Sequence, residues 1–188
     1  IENDVGCEEV KKMLKDLNNF KTVPLHYAVK RNSLKVFAFF FSLYEKSFDK
    51  MQLWQFMREK DEEGDILLHR AAAFSKSKEV CEFLWMKIEE LFEDKEELKT
   101  FLLVKGIYER NALLKSIAQQ NENTFYFLFE QVYCKIFSIK EFAYEINLKG
   151  EHFLHFLARS GSVSRLKFTF EKLKNEFSPE DLQNFIKL

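Results

Sequence analysis

Four histidines are the side chains in this sequence best suited to chemistry, and three of them fall at a recurring place. His26, His69 and His155 each stand fourth in a similar seven-residue stretch, and His152 begins the last of these stretches. Zinc needs its ligands to converge within about 2.1 Å of one ion. If each stretch forms one layer of a stack, its histidine lies about 10 Å from the next. We therefore predict no metal site, and the i, i+3 pair of His152 and His155 gives only a weak signal for one.

Acidic runs are the second candidate for chemistry. Glu89 and Glu90 are adjacent, and residues 94–97 read DKEE. General acid–base catalysis needs two carboxyl groups held across a pocket with separated pKa values, whereas acids near a helix start are explained by the helix dipole. The sequence has no phosphate-binding glycine loop and no Cys/His or Ser/His/Asp arrangement that we can assemble. We therefore predict no catalytic residues, no cofactor-binding residues and no enzyme activity.

Composition and charge narrow the class of protein further. The chain has 188 residues, 46% of them hydrophobic, with 22 Phe but only 5 Gly and 2 Pro, so it can bury a sizeable core. A net charge of −1 favours neither nucleic acid nor an anionic membrane. No apolar run is long enough to span a bilayer, and three cysteines without paired spacing indicate reduced thiols. We expect an intracellular, cytoplasmic segment that does not insert into a membrane.

The same sequence pattern occurs four times along the chain. The copies read VPLHYAV at 23–29, ILLHRAA at 66–72, ALLKSIA at 112–118 and HFLHFLA at 152–158. Their fourth residues are His26, His69, Lys115 and His155, which recur every 40 to 46 residues. A repeat of this length indicates stacked units, because one unit cannot bury its own apolar face. We therefore predict an array of about four helical units.

Each copy opens a pair of helices, and a third, shorter helix follows. The first helix is the short apolar stretch itself. Apolar residues of the second helix stand at helical spacing, at Phe37, Phe40, Phe41 and Tyr44; Val80, Phe83, Leu84, Ile88 and Leu91; Phe125, Leu128, Phe129, Val132 and Ile136; and Leu166, Phe170, Leu173 and Phe177. Capping residues then predict third helices that begin after Asp49, Asp94, Ser138 and Ser178. Buried positions are expected there at Leu53, Phe56 and Met57; Leu98, Phe101 and Leu102; Phe142 and Ile146; and Leu182, Phe185 and Ile186.

The opening segment has the pattern of a third helix, with Val10, Met13, Leu14 and Leu17 on one face. We therefore assign residues 1–17 to the end of a preceding unit. Four units follow, at 18–57, 58–103, 104–146 and 147–188. Because neither end has the polar cap of a complete array, we expect the chain to be a fragment of a longer protein.

Residues 61–72, DEEGDILLHRAA, resemble the ankyrin repeat, whose signature is a turn with Asp and Gly, then Thr-Pro-Leu-His and two small residues. Residues 18–26 and 147–155 are similar to it with losses, and the third copy departs most, with Arg110 in place of Gly and Lys115 in place of His. A HEAT-like or armadillo-like array has a period closer to the 40 to 46 residues seen here, but the Gly-turn-His start argues against such an array. The resemblance implies an all-α solenoid of about four ankyrin-like helix-turn-helix repeats, each with an added short helix. It also implies that the histidine makes hydrogen bonds that hold the turn.

A partner-binding face is a further implication of the resemblance, because ankyrin arrays bind other proteins through turn tips and the exposed end of the first helix. This turn face consists of Asn19, Phe20, Thr22, Lys30, Arg31, Glu62, Glu63, Asp65, Phe74, Tyr108, Glu109, Asn111, Gln119, Gln120, Leu148, Lys149, Glu151, Arg159 and Ser160. Aromatic residues between charged ones suit a groove with a few anchor contacts. We therefore expect a non-catalytic protein–protein interaction module.

Two other functions fit the same pattern. One is a structural role, in which the segment self-associates within a multidomain protein. The other is a targeting role in an effector whose enzymatic domain lies elsewhere. The high Lys and Phe content is compatible with an AT-rich symbiont or parasite, in which case the expected location is the host cytoplasm.

Overall fold

The computed structural model describes residues 2–16, 18, 22–74, 78–92, 94–147 and 149–187, with side chains from residue 8 onward. Within these ranges every regular element is a helix and no strand is present. The helices are α1 (Glu2–Lys15), α2 (Pro24–Lys30), α3 (Leu34–Ser47), α4 (Lys50–Arg58), α5 (Leu67–Phe74), α6 (Glu79–Leu91), α7 (Lys95–Leu102), α8 (Ala112–Ala118), α9 (Glu122–Tyr126), α10 (Cys134–Ile136), α11 (Ile139–Ala143), α12 (Phe153–Arg159), α13 (Val163–Glu176) and α14 (Pro179–Ile186). A 3-10 turn at Ile107–Glu109 precedes α8, and a π-helical segment at Phe127–Tyr133 joins α9 to α10. The predicted all-α class is confirmed.

Equivalent helices of successive copies pack on each other in chain order. The short first helices contact in series, α2 with α5, α5 with α8 and α8 with α12, and the second helices α3 and α6 also touch. Small residues on these first helices, such as Ala71 and Ala72, are fully buried. Because alanine side chains occupy little space, neighbouring helix backbones can approach closely there.

Aromatic rings from neighbouring units form one continuous apolar core. The ring of Phe83 on α6 packs edge-on against Phe37 and Phe41 on α3, with centroids 5.7 and 6.1 Å apart. Further along the chain, the ring of Phe129 lies 5.4 Å from that of Phe168 on α13. Removing one such ring from water stabilises the fold by about 1.5–3 kcal/mol. The apolar faces of the second helices are therefore buried between units.

Capping residues begin the four third helices where the sequence predicts them. Asp49 and Gln52 form a reciprocal pair, in which the Gln52 N–H donates to Asp49 Oδ1 (2.8 Å) and the Asp49 N–H donates to Gln52 Oε1 (3.2 Å). Asp94 and Ser178 accept from first-turn N–H groups, and the Ser138 N–H donates to a first-turn carboxylate at 2.7 Å. Each bond satisfies a polar group that a helix terminus would otherwise leave unpaired.

The second helix of the last unit buries only part of the predicted face, because Leu173 and Phe177 are buried as expected but the first two turns differ. Arg165 and Thr169 on α13 are buried, whereas Leu166 and Phe170 are only half-buried. Arg165 faces the interior because its Nη1 donates to the carbonyl of Ile117 in the last turn of α8 (3.2 Å). The same carbonyl also accepts from the Gln120 N–H at 3.1 Å, so the guanidinium uses its second acceptor site.

Four apolar positions expected in the interior are exposed, namely Val10, Met13, Ile146 and Ile186. On α1, between residues 8 and 16, Leu14 alone is buried, and Leu17 lies outside the described residues. Ile146 is exposed because α11 ends at Ala143, so Ile146 no longer lies on a helix face. Ile186 is the last residue of α14 and lies away from the core.

Buried tyrosines relate α1 to the later third helices. The hydroxyl of Tyr44 on α3 donates to the Leu14 carbonyl near the end of α1 (2.5 Å), and that of Tyr133 donates to the Leu102 carbonyl at the end of α7 (2.7 Å). Burial raises the pKa of both hydroxyls, so both stay protonated donors. The end of α1 is therefore bound to α3 by the same kind of hydrogen bond that joins the end of α7 to the π-helical segment.

Candidate partner-binding face

Each copy is preceded by a five-residue turn that the same backbone hydrogen bond closes. The first N–H of the turn donates to the fifth carbonyl at 2.9–3.2 Å in the turns 18–22, 61–65, 106–110 and 147–151. In the second and fourth turns the first residue is Asp61 or Asn147, whose Oδ1 accepts the N–H groups of the third and fifth residues. Their fourth residues, Gly64 and Gly150, have positive φ, which glycine adopts without a steric penalty. The Asp/Asn and Gly of the sequence pattern therefore build the turns.

The third turn is built differently because its first residue, Gly106, has no side chain. Asp65 of the second turn provides an acceptor of its own, since its Oδ1 accepts from the N–H of Ile107, the second residue of this turn, at 3.1 Å. A Cβ atom on Gly106 would collide with the same oxygen. Tyr108 and Glu109 both adopt positive φ in this turn, a conformation that costs non-glycine residues free energy. The second turn thus provides part of the third.

A buried ion-pair network joins the second unit to the third. Asp65 Oδ2 binds the Lys115 ammonium closely and lies 3.6 Å from Arg70 Nη1, and Arg70 Nε donates to Asp61 Oδ2 at 2.6 Å. Burial lowers the pKa of Lys115, although the hydrogen bond that its ammonium donates to Asp65 opposes this. Burial also acts to lower the pKa of Arg70, but Asp61 outweighs it, so the pKa of Arg70 is raised. Lys115, which replaces the recurring histidine, is therefore the partner of Asp65.

His69 holds its turn as the resemblance implies. Its Nδ1 accepts from the Ile66 N–H at 3.1 Å, and its Nε2 donates to the Val104 carbonyl at 3.0 Å. Burial lowers the pKa of this imidazole to about 4, although Asp65 acts in the opposite direction. The ring is therefore neutral at pH 7 and links the second unit to the third.

The other histidines differ from that pattern. His26 is buried, but neither ring nitrogen has a hydrogen-bond partner in the described part of the chain, so the expected turn-holding bonds are wrong for this residue. Its ring lines a cleft instead. Burial lowers its pKa to about 4. His155 is exposed, and its Nδ1 accepts from the His152 N–H at 3.3 Å, as expected for a residue that holds its turn.

The first cleft, of about 250 Å³, opens between the first and second units. Its lining consists of Thr22, His26, Tyr27, Lys30, Asp61, Glu62, Glu63 and Arg70. Arg70 binds the carboxylates of Asp61 and Glu63, whereas Glu62 is exposed and has no ion pair among the described residues. The Lys30 ammonium lies 5.4 Å from the ring of Phe74. Both charge signs are thus available at this cleft.

The second cleft, also of about 250 Å³, lies between the third and fourth units. Its lining consists of Tyr108, Arg110, Asn147, Lys149, Glu151 and Arg159. Three cations and one carboxylate face this space. Arg159 forms a close ion pair with Glu151, and the hydrogen bond from Arg159, followed by that from Asn147, lowers the pKa of Glu151 to about 2. The second cleft is therefore electropositive.

The structure divides the turn face predicted from the sequence. Exposed members are Lys30, Arg31, Glu62, Glu63, Tyr108, Gln119, Gln120, Lys149 and Arg159. Half-buried members are Thr22, Phe74, Glu109, Glu151 and Ser160. Asn19, Phe20 and Leu148 lie outside the described residues. The two clefts contain the members Thr22, Lys30, Glu62, Glu63, Tyr108, Lys149, Glu151 and Arg159.

Two members of the predicted face are buried, so their assignment to an exposed surface is wrong. Asp65 has no exposed side-chain surface because it is the centre of the ion-pair network. Asn111 is 4% exposed, and its Oδ1 accepts from the Leu114 N–H at 2.9 Å, which makes it the N-cap of α8. Asn111 directly precedes α8, and Asp65 lies two residues before α5. At such positions a side chain can accept hydrogen bonds from nearby backbone N–H groups.

Sequence reasoning missed several residues that form these sites, among them Arg70, Lys115 and Arg110. Arg70 and Lys115 belong to the buried network, and Arg110 lines the second cleft. The departures of the third copy were a usable signal, because they place Arg110 and Lys115 where glycine and histidine are expected. Arg70 gave no such signal, since the sequence does not show that it faces Asp61.

Neither a metal site nor a membrane span is found in the described part of the chain. No three His, Cys, Asp or Glu side chains are grouped to hold an ion within these residues. Searched over the same residues, no helix combines the length and apolarity needed to cross a bilayer. No protein-family model matches the sequence, and no curated protein matches it. The functional argument therefore rests on the all-helical fold and on the two clefts of the turn face.

Proposed function

We propose that this chain is an ankyrin-like solenoid that binds a partner protein through its turn face, without catalysis. The observation that carries this proposal is the pair of clefts. Each lies between the turns of two adjacent units and has charged side chains, such as Glu62 and Lys149, for which the described residues provide no ion pair. Unpaired charges around a concave surface favour recognition of a charged partner and raise its association rate.

Bonds between units support the solenoid part of the proposal. Lys60 Nζ donates to the Lys105 carbonyl, and Lys105 Nζ donates to the Ile146 carbonyl, both at 3.0 Å. The first bond joins the second unit to the third, and the second repeats the interaction 41 residues further along, at the last residue of the third unit. Such nearest-neighbour contacts are what stabilises a repeat array.

The state of the titratable groups in the buried network supports a binding role over catalysis. Asp61 and Asp65, the buried carboxylates of the network, are bound by Arg70 and Lys115, and the His69 nitrogens are both occupied. A general base needs a free site within reach of a substrate proton. The buried thiol of Cys81, whose pKa is raised by burial, is not a nucleophile either. It fits the proposed location in the reducing intracellular compartment.

A charge-reversal pair tests the function. Proteins crosslinked to the chain in cells are identified by mass spectrometry, and the affinity of each purified candidate is then measured by calorimetry. The triple variant Lys30→Glu, Arg31→Glu, Glu62→Lys should lose about tenfold or more in affinity. The matched control, with reversals at Lys46, Lys167 and Glu89 on exposed second-helix positions, should stay within about twofold. Equal losses in the two variants would exclude the turn face as the binding surface.

Self-association is a second candidate because apolar side chains are exposed on α3. Val36 and Phe39 are 43% and 61% exposed and lie three residues apart on the helix. Contiguous exposed apolar surface commonly marks an interface. Light scattering coupled to size-exclusion chromatography should show a dimer that Phe39→Ser abolishes; a monomer across the accessible concentrations would exclude this role.

A further inference from the structure

The second cleft contains a cation that the protein does not neutralise. Arg110 is half-buried, its Nε is inaccessible to water, and its guanidinium makes no hydrogen bond or ion pair within the described residues. The guanidinium carbon lies 5.1 Å from the ring centre of Tyr108 and 5.3 Å from that of Phe156. Burial and the nearby charge of Arg159 lower the pKa of Arg110, and the charge of Glu151 offsets them only in part. An unpaired, partly desolvated cation is costly, so a bound anion would relieve this cost.

The single carboxylate of the cleft is already engaged elsewhere. Glu151 binds the Arg159 guanidinium through both oxygens, and its Oε2 also accepts from Asn147 Nδ2 at 2.7 Å. Lys149 is exposed, and its ammonium has no partner among the described residues. Once the Arg159–Glu151 pair is set aside, Arg110 and Lys149 remain as two unneutralised cations beside the same space.

We propose that the second cleft binds the carboxylate of an aspartate or glutamate in an acidic segment of a partner protein. This inference rests on the proposed function and names the class of partner. The planar guanidinium of Arg110 matches a carboxylate through two parallel N–H bonds, while Lys149 adds a point charge at the rim. The rings of Tyr108 and Phe156 hold the guanidinium, and the exposed ring of Tyr108 lines the cleft as an apolar wall for the methylene groups of the bound side chain.

The first cleft provides an internal contrast. Its charges include Asp61, Glu62 and Glu63 against Lys30 and Arg70, and both buried charges there are paired. An acidic segment therefore gains less there than in the second cleft. This difference predicts where a polyanionic peptide binds and allows substitutions in the two clefts to be compared.

Fluorescence anisotropy of a dye-labelled hexaglutamate peptide tests the site. The chain is titrated into the peptide at about 150 mM salt, where surface charges beyond roughly 8 Å are screened. We expect saturable binding that Arg110→Gln weakens about tenfold. The matched control is Lys167→Gln, which removes an equal charge from an exposed side chain of α13 outside the turn face, and it should change the affinity by less than about twofold.

A second substitution keeps the test decisive if Arg110→Gln disturbs the turn. Lys149→Glu alters an exposed side chain, so the fold should be retained, as circular dichroism can verify. It should weaken hexaglutamate binding about threefold or more, because it replaces attraction by repulsion. A Lys149→Glu variant that binds as tightly as the original chain would overturn the proposal.

Other outcomes also decide the question. Equal weakening by Lys167→Gln, equal binding of labelled hexalysine, or no hexaglutamate binding would each overturn the site. Displacement of the peptide by inorganic phosphate at equal concentration would assign the cleft to phosphate groups and overturn the carboxylate assignment. The cellular crosslinking experiment is independent of this peptide, so a partner that binds the turn face without needing Arg110 refutes this inference alone.

Discussion

Charged side chains gather at the junction of the second and third units and again in the second cleft, but only the junction matches each charge. There the Asp65 carboxylate binds Lys115 and Arg70 and also accepts the Ile107 N–H. In the cleft, Arg110 has no carboxylate of its own among the described residues. Charges that the fold pairs internally stabilise it, whereas those left unpaired are available to a partner. Position in the repeat alone does not separate these roles.

The largest expected effect is at the junction. Asp65→Ala removes the partner of a buried ammonium and the acceptor for the third turn, so it should lower the free energy of unfolding by about 3–5 kcal/mol. Urea denaturation followed by circular dichroism measures this loss. Adding Lys115→Met should recover part of it, because the unpaired buried charge is removed. A loss below about 1 kcal/mol for Asp65→Ala would mean that the junction is no more tightly held than the surface.

The second-largest effect is expected from acid, which should lower the free energy of unfolding through the junction. The pKa of His69 is about 4 in the folded chain against an ordinary value of 6.5, so at pH 5 the unfolded state binds a proton that the folded state does not. Stability due to this neutral ring is therefore present above pH 6.5 and is lost as the pH falls toward 4. Between pH 7 and 5 we expect a loss of roughly 2 kcal/mol from His69, with His26 acting in the same direction.

The same urea experiment at the two pH values measures this loss. His69→Gln should show a smaller decrease between them, whatever its stability at pH 7. If the original chain has the same unfolding free energy at pH 7 and pH 5, neither imidazole is buried in its neutral form.

The cleft should respond in the opposite sense. Arg110→Met replaces an unpaired, half-buried cation by an apolar side chain of similar length, so stability should stay unchanged or rise by up to about 1 kcal/mol. Thermal unfolding monitored by circular dichroism is sufficient to detect the change. A loss of more than about 2 kcal/mol would show that Arg110 holds the fold, and the contrast with Asp65 would fail.

The smallest effect is expected at an exposed turn tip. Glu62→Lys should change the free energy of unfolding by less than about 0.5 kcal/mol, because the side chain is exposed and has no ion pair among the described residues. Urea denaturation of Glu62→Lys and Asp65→Ala in parallel compares an exposed and a buried acid of the same turn. A simultaneous reversal of Glu62, Glu63 and Asp65 should unfold the chain because of Asp65 alone.

Local signals made much of the helical layout predictable. Caps such as Asp49 and Ser178 act on their own first turn, so their role follows from the sequence around them. His69 was also predictable, since its Ile66 bond spans only three residues. Periodicity failed on α13, where the Arg165 bond to a carbonyl of α8 outweighs the preference for burying Leu166.

The site was less predictable because its key contacts join distant residues. Asp65 and Lys115 lie 50 positions apart, and no local pattern shows that they meet. The burial of Asp65 was therefore missed, and so was the role of Lys115. Arg110 was visible as a departure from the repeat, but its lack of a partner follows only from the folded arrangement of Glu151 and Arg159.

Two double-mutant cycles, measured together by urea denaturation, test the contrast most directly. For the Asp65→Ala and Lys115→Met pair we predict a coupling free energy of about 2 kcal/mol, since a buried ion pair is lost with either residue. For the Arg110→Met and Glu151→Gln pair we predict a coupling below about 0.5 kcal/mol. A larger coupling in the cleft than at the junction would contradict the division between charges that stabilise the fold and charges that are available to bind a partner.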